Sequence, residues 1–261
     1  MPLSGARCLV IGGRGFVGSA LAAHARERGM DVRAVGRADY ASSVGERFDL
    51  VVFAAGNARR YLADRDPASD LDASVGAVYR ALRDFSYDVF VLASTVDVYV
   101  DPSRPEATRE DAPIDPARLS TYGFHKRMAE LVVMRSAARF LIVRLGQMVG
   151  PGLVKGPVHD VLCGEPLRVA LSSRYPLLRT RSAAAITFAL LEAGVSRDVV
   201  NVCARGDVSL ARIVELLGRS AVAPPGVPEE RYAVDVSAAC RAFDVPTAEE
   251  EARAFASSIR C

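Results

Sequence analysis

The chain has 261 residues, of which half are apolar and a quarter charged, and its formal net charge at pH 7 is +2. This composition excludes a disordered or fibrous protein, and the length fits either one large domain or a nucleotide-binding domain with a smaller appendage. The near balance of charge, without a dense Lys/Arg block, argues against a nucleic-acid partner.

Cysteines and histidines are scattered along the chain. The cysteines are odd in number and form no C-x-x-C pair, so we expect reduced thiols at Cys8, Cys163, Cys203, Cys240 and Cys261. The three histidines form no ligand cluster, and we expect no metal site. Glycines and Arg14 interrupt the apolar N-terminus, which disfavours a signal peptide, and no apolar run approaches the roughly 18 to 20 residues of a membrane span. We therefore expect a cytoplasmic protein without a membrane partner.

The first elements in chain order are a strand, a glycine turn, a helix and a second strand, within "RCLVIGGRGFVGSALAAHARERGMDVRAVGR". Further buried strands are predicted at "FDLVVFAAG", "YDVFVLAST" and "RFLIVRLG", with helices around 68–85 and 122–138. Only "RADYASSVGERF" separates the second and third strands, so we expect no long crossover helix at that edge. Strands that alternate with helices predict an α/β fold with a Rossmann-type, doubly wound parallel sheet.

The second half of the chain is less regular. Residues 101–119 are rich in proline and charge and predict a long surface loop. Beyond "GPG" we expect helices in "PVHDVLCG", "AAAITFALLEAG", "SLARIVELLG" with Ser209 as N-cap, and "TAEEEARAFASSI", and a strand in "DVVNVCA". We divide the chain into a cofactor-binding domain, 1–147, and a small, reduced C-terminal substrate-binding region, 148–261, from which 182–206 returns to the first domain.

The glycines Gly12, Gly15 and Gly18 are spaced three apart between a strand and a helix. Glycines permit a tight turn and let backbone N–H groups approach a pyrophosphate at the helix N-terminus. The pattern predicts a dinucleotide site that includes Phe16 and Val17, and the alternative is an ordinary glycine-rich turn.

Two arginines bear on the choice of dinucleotide. NAD sites usually place an acidic residue at the end of the second strand, where this chain has Gly36 and Arg37. Arg37 and Arg14 could converge on a 2′-phosphate, so we expect NADP(H) to be preferred over NAD(H). In the alternative both arginines are solvated and Asp39 reaches back to the ribose.

"STYGFHK" places Tyr122 and Lys126 one helical turn apart on the same face. A nearby ammonium favours the phenolate, which suits a tyrosine that acts as general acid or base. Ser94 and Thr95 end a predicted strand at the sheet edge where such folds bind ligands, and we expect both hydroxyls to contact substrate. The alternative for the tyrosine and lysine is an exposed surface pair.

The motifs together resemble the extended short-chain dehydrogenase/reductases, also called the NAD-dependent epimerase/dehydratase family. The segments that match are "GGRGFVG", "FDLVVFAAG", "LASTVDVYVD", "EDAPIDPARLSTYGFHK", "VRLGQMVGPG" and "NVCARGDVSLARIVELLG". The resemblance implies that Thr95 and Tyr122 are catalytic and that Lys126 holds the nicotinamide ribose. It also implies that Ala55 and Gly56 line the cofactor and that Gln147 lies near the substrate.

Departures from the family pattern narrow the expected activity. Dehydratases of the family carry an acidic pair after the catalytic threonine, whereas this chain has Val96 and Asp97, which disfavours dehydration. We expect an NADPH-dependent reductase of a keto-sugar nucleotide or related carbonyl compound, in which Tyr122 gives the proton and Thr95 aligns the carbonyl oxygen. The alternatives are a redox-neutral nucleotide-sugar epimerase with tightly bound cofactor and a non-catalytic cofactor-binding sensor or scaffold. The resemblance also implies a possible homodimer.

Overall fold

The computed structural model describes residues 3–57, 60–194 and 196–260, with only the backbone of residue 260, so Cys261 lies outside the described residues. The strands are β1 (Arg7–Ile11), β2 (Asp31–Val35), β3 (Arg47–Phe53), β4 (Ser86–Thr95), β5 (Phe140–Leu145), β6 (Met148–Val149), β7 (Arg174–Tyr175), β8 (Leu178–Arg179), β9 (Asp198–Val202) and β10 (Val208–Ser209). The α-helices are α1 (Phe16–Glu27), α2 (Arg60–Arg65), α3 (Pro67–Leu71), α4 (Ala77–Asp84), α5 (Thr121–Ser136), α6 (Pro157–Cys163), α7 (Thr180–Glu192), α8 (Leu210–Leu217), α9 (Ser237–Cys240) and α10 (Ala248–Arg260).

The core of the molecule is a six-stranded parallel sheet with strand order β2-β1-β3-β4-β5-β9. Helices cover both faces, and this confirms the predicted α/β, Rossmann-type doubly wound fold. After β2 the chain returns past β1 to form β3, so the strand order reverses at β1. In such sheets the ligand crevice lies at the carboxyl ends of the strands beside that reversal.

Alternation along the inner strands divides the core into two layers. One face of the sheet packs under α1 and α7, with buried side chains that include Val10, Leu50, Val91 and Val143. The other face packs under α4 and α5, with buried side chains that include Leu9, Val51, Phe90 and Ile142. Both faces of these strands are buried, which explains why they appear in the sequence as nearly continuous apolar runs.

The β2 edge of the sheet is short, as the sequence predicted. A single 3-10 turn, Tyr40–Ser43, joins β2 to β3 without a crossover helix. On the opposite side the predicted helix around 68–85 forms as α3 and α4, joined through a π-helical turn, Asp72–Gly76. α2 was not predicted, because its sequence, RYLADR, has little apolar periodicity.

The C-terminal region contributes to the main sheet and also builds a small layer beside it. β9 pairs in parallel with β5, and α7 packs against α1. Two further sheets have two strands each, β10 with β7 and β6 with β8. The N-cap prediction for α8 is confirmed, because the Ser209 hydroxyl accepts a hydrogen bond of 3.2 Å from the Arg212 amide.

The segment 101–119 is mostly exposed or half-buried, as expected for the predicted surface loop. It contains two 3-10 turns, and Thr108 within it is fully buried. The connector between α8 and α9 crosses it: the Ala233 amide donates to the Pro102 carbonyl at 2.7 Å, and the Asp235 amide donates to the Thr108 hydroxyl at 2.9 Å. The segment is a surface loop, as predicted, and a distant part of the chain holds it through these hydrogen bonds. Among the described helices, none has the length and apolar character needed to cross a bilayer.

Candidate functional site

The glycine loop lies at the carboxyl end of β1, where the strand order reverses. Gly12 has a φ of +79°, and a Cβ at this position would lie 2.7 Å from the Ala54 carbonyl oxygen at the end of β3. Only glycine allows this close crossing of two strand ends. Gly15 is the N-cap of α1 and has no side-chain cap, so the first amides of the helix, which include those of Phe16, Val17 and Gly18, point from the helix N-terminus without intrahelical partners.

Arg14 and Asp39 form an ion pair beside this loop. The Arg14 guanidinium lies 2.5 Å from one Asp39 carboxylate oxygen, and the other oxygen accepts the Gly36 amide at 2.7 Å. The Gly36 amide and the Arg14 guanidinium hold the pKa of the Asp39 carboxyl below its usual range. Arg37, next to this pair at the end of β2, is exposed, and the described part of the chain offers it no ion-pair partner.

The helix α5 carries Tyr122 and Lys126 to the end of β4. Its N-cap Ser120 accepts the Gly123 amide at 3.1 Å, which fixes where the helix begins. A Cβ on Gly123 would lie 2.3 Å from the Asp97 carbonyl oxygen, so the glycine allows α5 to approach the turn that follows β4. Tyr122 is 8% exposed and Lys126 9% exposed. Both are buried, so they do not form the exposed surface pair that the sequence left as an alternative.

Thr95, Tyr122 and Lys126 form one cluster. The Lys126 ammonium lies 5.6 Å from the centre of the Tyr122 ring. Burial raises the pKa of the Tyr122 phenol above its usual range, the Asp97 carboxylate raises it further, and Arg60 and the nearby Thr95 hydroxyl lower it. Burial lowers the pKa of Lys126, and the carboxylates of Asp70 and Glu130 oppose this shift.

A small polar recess connects the cluster to the end of β3. A Cβ on Gly56 would lie 3.5 Å from the Lys126 Nζ and 3.9 Å from the Ser74 hydroxyl. Ser74 is buried in the π-helical turn, and its hydroxyl has no hydrogen-bond partner among the described residues. An unpaired hydroxyl, an ammonium and a glycine that leaves space between them fit the ribose end of a nicotinamide cofactor. This agrees with a pyrophosphate site at the start of α1.

The structure corrects the prediction for Ser94. The Ser94 hydroxyl donates to Glu130 at 2.6 Å, and both residues are buried in the interior. Glu130 also accepts two hydrogen bonds from Arg144 at 3.0 and 2.8 Å and one from Arg127 at 2.8 Å. Ser94 therefore belongs to a packed ion-pair network and not to the surface that Thr95 presents.

Gln147 lies in the turn between β5 and β6, on the same sheet edge as Thr95, which pairs with Leu145. Its backbone carbonyl accepts the Leu178 amide at 3.1 Å, and its side chain packs against Gly156 at the start of α6. Ala55 is half-buried just after β3, beside the exposed Gly56. The predicted residues other than Ser94 thus lie around one sheet edge.

Sequence reasoning did not place four charged or phenolic residues at this edge. Asp97 accepts hydrogen bonds from Arg60 at 2.9 Å and from the Tyr232 hydroxyl at 3.0 Å, and Arg60 also reaches Glu230 at 3.4 Å. They come from three separate segments, so no local pattern could have grouped them. Asp97 was noted only as a departure from a family pattern.

Sequence reasoning also missed a hydrogen-bonded pair that includes His125, the neighbour of Lys126 on α5. The His125 Nδ1 is 2.6 Å from the Asp70 carboxylate, whose other oxygen accepts the Asn57 side chain at 2.7 Å. Among the described residues, no group of three or more His, Cys, Asp or Glu side chains has a geometry that could hold a metal ion.

Comparison with solved structures finds this fold in nucleotide-sugar enzymes. A UDP-galactose 4-epimerase superposes with a TM-score of 0.82 at 23% identity, covering 97% of this chain and 98% of that chain. A UDP-glucuronic acid 4-epimerase from Bacillus cereus, in complex with UDP-glucuronic acid and NAD, gives 0.77 at 19% identity, with 97% and 99% covered. The NAD-dependent NDP-hexosamine 5,6-dehydratase TunA gives 0.79 at 19% identity, with 98% of each chain covered. At these identities the likeness shows the fold alone.

The family is established by the sequence itself. A search of curated proteins found no match. The profile of the NAD dependent epimerase/dehydratase family matches residues 8–203, from β1 to just beyond β9. Since this match covers most of the 261 residues and contains the glycine loop, Thr95, Tyr122 and Lys126, the chain belongs to the NAD dependent epimerase/dehydratase family.

Proposed function

We propose that the chain is an NADP(H)-dependent oxidoreductase that reduces a keto group of a nucleotide-activated sugar or a related carbonyl compound. The observation that carries the proposal is the cluster of Thr95, Tyr122 and Lys126 at the sheet edge, beside a glycine loop suited to a dinucleotide. A bound nicotinamide supplies the hydride in such a reduction. In this proposal residues 1–147 bind the cofactor, and residues 148–261 mainly bind the substrate.

Tyr122 is suited to give a proton. Its pKa is raised by burial and by Asp97, so the phenol is protonated at neutral pH and can donate to the carbonyl oxygen of a substrate as that oxygen becomes negative. Thr95 orients that oxygen. Lys126 lies close enough to stabilise the phenolate that remains, and it also faces the recess for the nicotinamide ribose.

The cofactor contacts follow from the loop geometry. The amides at the start of α1, next to Gly15, receive the pyrophosphate, Gly12 and Gly18 allow the close backbone contacts that shape the loop, and Ala55 and Gly56 line the path to Lys126. For the adenine ribose we propose NADP(H). Arg37 is exposed, and Arg14 has to exchange its Asp39 partner for a 2′-phosphate, whose doubly charged oxygens are stronger acceptors than a single carboxylate.

A redox-neutral epimerase that retains NAD is the second candidate, and Asp39 favours it. Its carboxylate is held at the end of β2 by the Gly36 amide, close to where an NAD ribose is usually bound. In that reading the Arg14–Asp39 pair persists, and Asp39 accepts a ribose hydroxyl. Similar solved structures of epimerases, one of them in complex with NAD, support this alternative as well.

The nucleotide-sugar substrate is supported by the similar structures, which are enzymes of nucleotide sugars, and by the position of Gln147 next to α6. We also propose a cytoplasmic homodimer. Free thiols at Cys8, Cys163, Cys203 and Cys240 suit a reducing compartment, and Tyr79 and Leu131 on α4 and α5 are 49% and 47% exposed, which suits pairing through these helices.

The test compares wild type with Tyr122→Phe. NADPH consumption would be followed with a nucleotide-linked 4-keto-6-deoxyhexose, and epimerisation with UDP-glucose, UDP-galactose and UDP-N-acetylglucosamine. We expect reduction by the wild type and a loss in kcat of about 10² to 10⁴ in Tyr122→Phe, the usual contribution of a general acid.

The matched control is Tyr87→Phe, which removes a phenol at the start of β4, at the opposite end of that strand from Thr95, and should leave kcat unchanged. Epimerisation without added NADPH would replace the reductase by the epimerase. No turnover of any of these compounds, or full activity in Tyr122→Phe, would contradict the proposed chemistry.

A further inference from the structure

Asp97 joins the catalytic cluster to a distant part of the chain. It lies in the 3-10 turn directly after Thr95, and its side chain is 13% exposed. The Asp97 amide donates to the Thr95 hydroxyl at 3.2 Å, and that hydroxyl donates to the Asp97 carboxylate at 3.3 Å. A single residue thus contacts the Thr95 hydroxyl as both donor and acceptor.

The Asp97 carboxylate is held in turn by two other donors. The Arg60 Nε donates to one oxygen at 2.9 Å, and the Tyr232 hydroxyl donates to the other at 3.0 Å. Tyr232 lies in the connector between α8 and α9, where its amide donates to the Arg174 carbonyl at 3.0 Å. The carboxylate therefore has a fixed orientation, and a residue far away in the sequence helps to set it.

A second tyrosine also donates its hydroxyl to a carboxylate, but this carboxylate does not contact Thr95 among the described residues. The Tyr175 hydroxyl donates to Glu230 at 2.8 Å, and the rings of Tyr175 and Tyr232 stack with centroids 6.0 Å apart. Glu230 contacts Arg60 but has no contact with Thr95 among the described residues. Tyr175 and Tyr232 thus provide a matched pair of phenol-to-carboxylate bonds, of which only that of Tyr232 reaches the carboxylate that contacts the catalytic threonine.

We propose that Asp97 is a positioning residue that fixes the direction of the Thr95 hydroxyl beside Tyr122, and that Tyr232 and Arg60 hold it in place. This inference rests on the proposed function, since it gives Thr95 and Tyr122 their catalytic roles. A hydroxyl has one proton, so the donors that already satisfy Asp97 weaken its hold on that proton. Thr95 is then free to donate to the phenolate or substrate oxygen once charge develops there.

The charge of Asp97 provides a readout that a purely structural role would not affect. The groups that face Tyr122 are Asp97 and Thr95 at the end of β4, Arg60 on α2, Asp70 on α3 and Lys126 on α5. Asp97 disfavours the phenolate, so Asp97→Asn should lower the pKa of Tyr122. Ionisation of Tyr122 should then begin at lower pH than in the wild type.

The first experiment needs no substrate. Tyrosinate absorbance is titrated in the presence of NADP⁺ over the pH range in which circular dichroism shows the folded chain. The signal of Tyr122 is the difference between a protein and its Tyr122→Phe counterpart, in wild-type and Asp97→Asn backgrounds. We expect ionisation of Tyr122 to begin earlier in Asp97→Asn. An equal onset in both backgrounds, or no ionisation in Asp97→Asn, would overturn the proposal.

The second experiment uses NADPH and the nucleotide-linked 4-keto-6-deoxyhexose. We expect Asp97→Asn and Tyr232→Phe to lower kcat by about tenfold, the usual effect of losing one charge-assisted hydrogen bond, with KM nearly unchanged. Tyr175→Phe should keep the wild-type kcat, and Asp97→Glu should recover part of the loss. Equal losses in Tyr175→Phe and Tyr232→Phe would contradict the proposal. If the wild type turns over no substrate, the proposed function fails, whereas the titration separately tests whether the Asp97 charge acts on Tyr122.

Discussion

Two carboxylate–guanidinium pairs in this molecule have the same chemistry and opposite surroundings. Glu130 and Arg144 are 0% and 1% exposed and share two hydrogen bonds of 3.0 and 2.8 Å in the interior. Arg14 and Asp39 are also paired, at 2.5 Å, but their side chains are 65% and 33% exposed at the glycine loop.

The two ion pairs differ in whether another group can replace one of their partners. Ser94, Arg127 and Tyr99 complete the hydrogen bonding of the interior pair, so neither partner can leave without stranding a buried charge. Water and ligands reach the exposed pair, so a phosphate can replace the carboxylate there at little cost. The interior pair fixes α5 on the sheet, whereas the exposed pair is available for recognition.

The largest expected effect is in the interior. Glu130→Ala leaves Arg144 buried without its counter-ion, and we expect the free energy of unfolding to fall by about 3 to 5 kcal/mol. Urea unfolding followed by circular dichroism measures this. The control is Glu46→Gln, which removes an exposed carboxylate paired with Arg7 and Arg33 and should leave the urea midpoint unchanged. Equal midpoints for the two variants would remove the distinction between the pairs.

A smaller effect is expected at the exposed pair. Asp39→Asn releases Arg14 and removes a negative charge from the ribose site, so we expect NADPH affinity to rise about tenfold, as for one charge-assisted contact, while NADH affinity stays nearly unchanged. The thermal midpoint should not change. Calorimetric titration with both cofactors measures the two affinities. A fall in NADH affinity alone would identify Asp39 as a ribose ligand and favour the epimerase.

The smallest effects concern two helix caps that differ only in location. Ser120→Ala and Ser209→Ala each remove a hydroxyl that accepts an amide of the first turn, at a cost of about 1 kcal/mol in stability. Ser120 begins α5, which carries Tyr122, so we expect only this variant to lower kcat as well. Urea unfolding and kcat measured on both variants test this. A similar kcat in the two variants would show that the start of α5 does not position the tyrosine.

Much of the fold could be predicted because its signals are local. Apolar runs long enough to be buried on both faces identified the strands of the main sheet, and the glycine spacing identified the turn at β1. The placement of Thr95, Tyr122 and Lys126 could also be predicted, because Thr95 ends a strand and the other two lie one helical turn apart. The recess at Ser74 gave no signal, since a π-helical turn has no sequence pattern of its own.

The error at Ser94 and the missed contacts share one physical cause, which is contact between distant segments. Ser94 was assigned to the substrate because it ends a strand, but Glu130 binds its hydroxyl from α5. The hydrogen bonds that tie the surface loop 101–119 to the connector with Ala233 and Asp235 also gave no local signal. The contacts of Asp97 with Arg60 and Tyr232 likewise depend on tertiary packing.

Calorimetric titration of the wild type and Arg37→Ala with NADPH and NADH tests the preference for NADP(H) most directly. We expect the wild type to bind NADPH more tightly than NADH and Arg37→Ala to bind NADPH more weakly while NADH binding stays the same. Equal or tighter binding of NADH by the wild type would contradict the NADP(H) assignment and favour the NAD epimerase. Binding of neither cofactor would contradict the dinucleotide site itself.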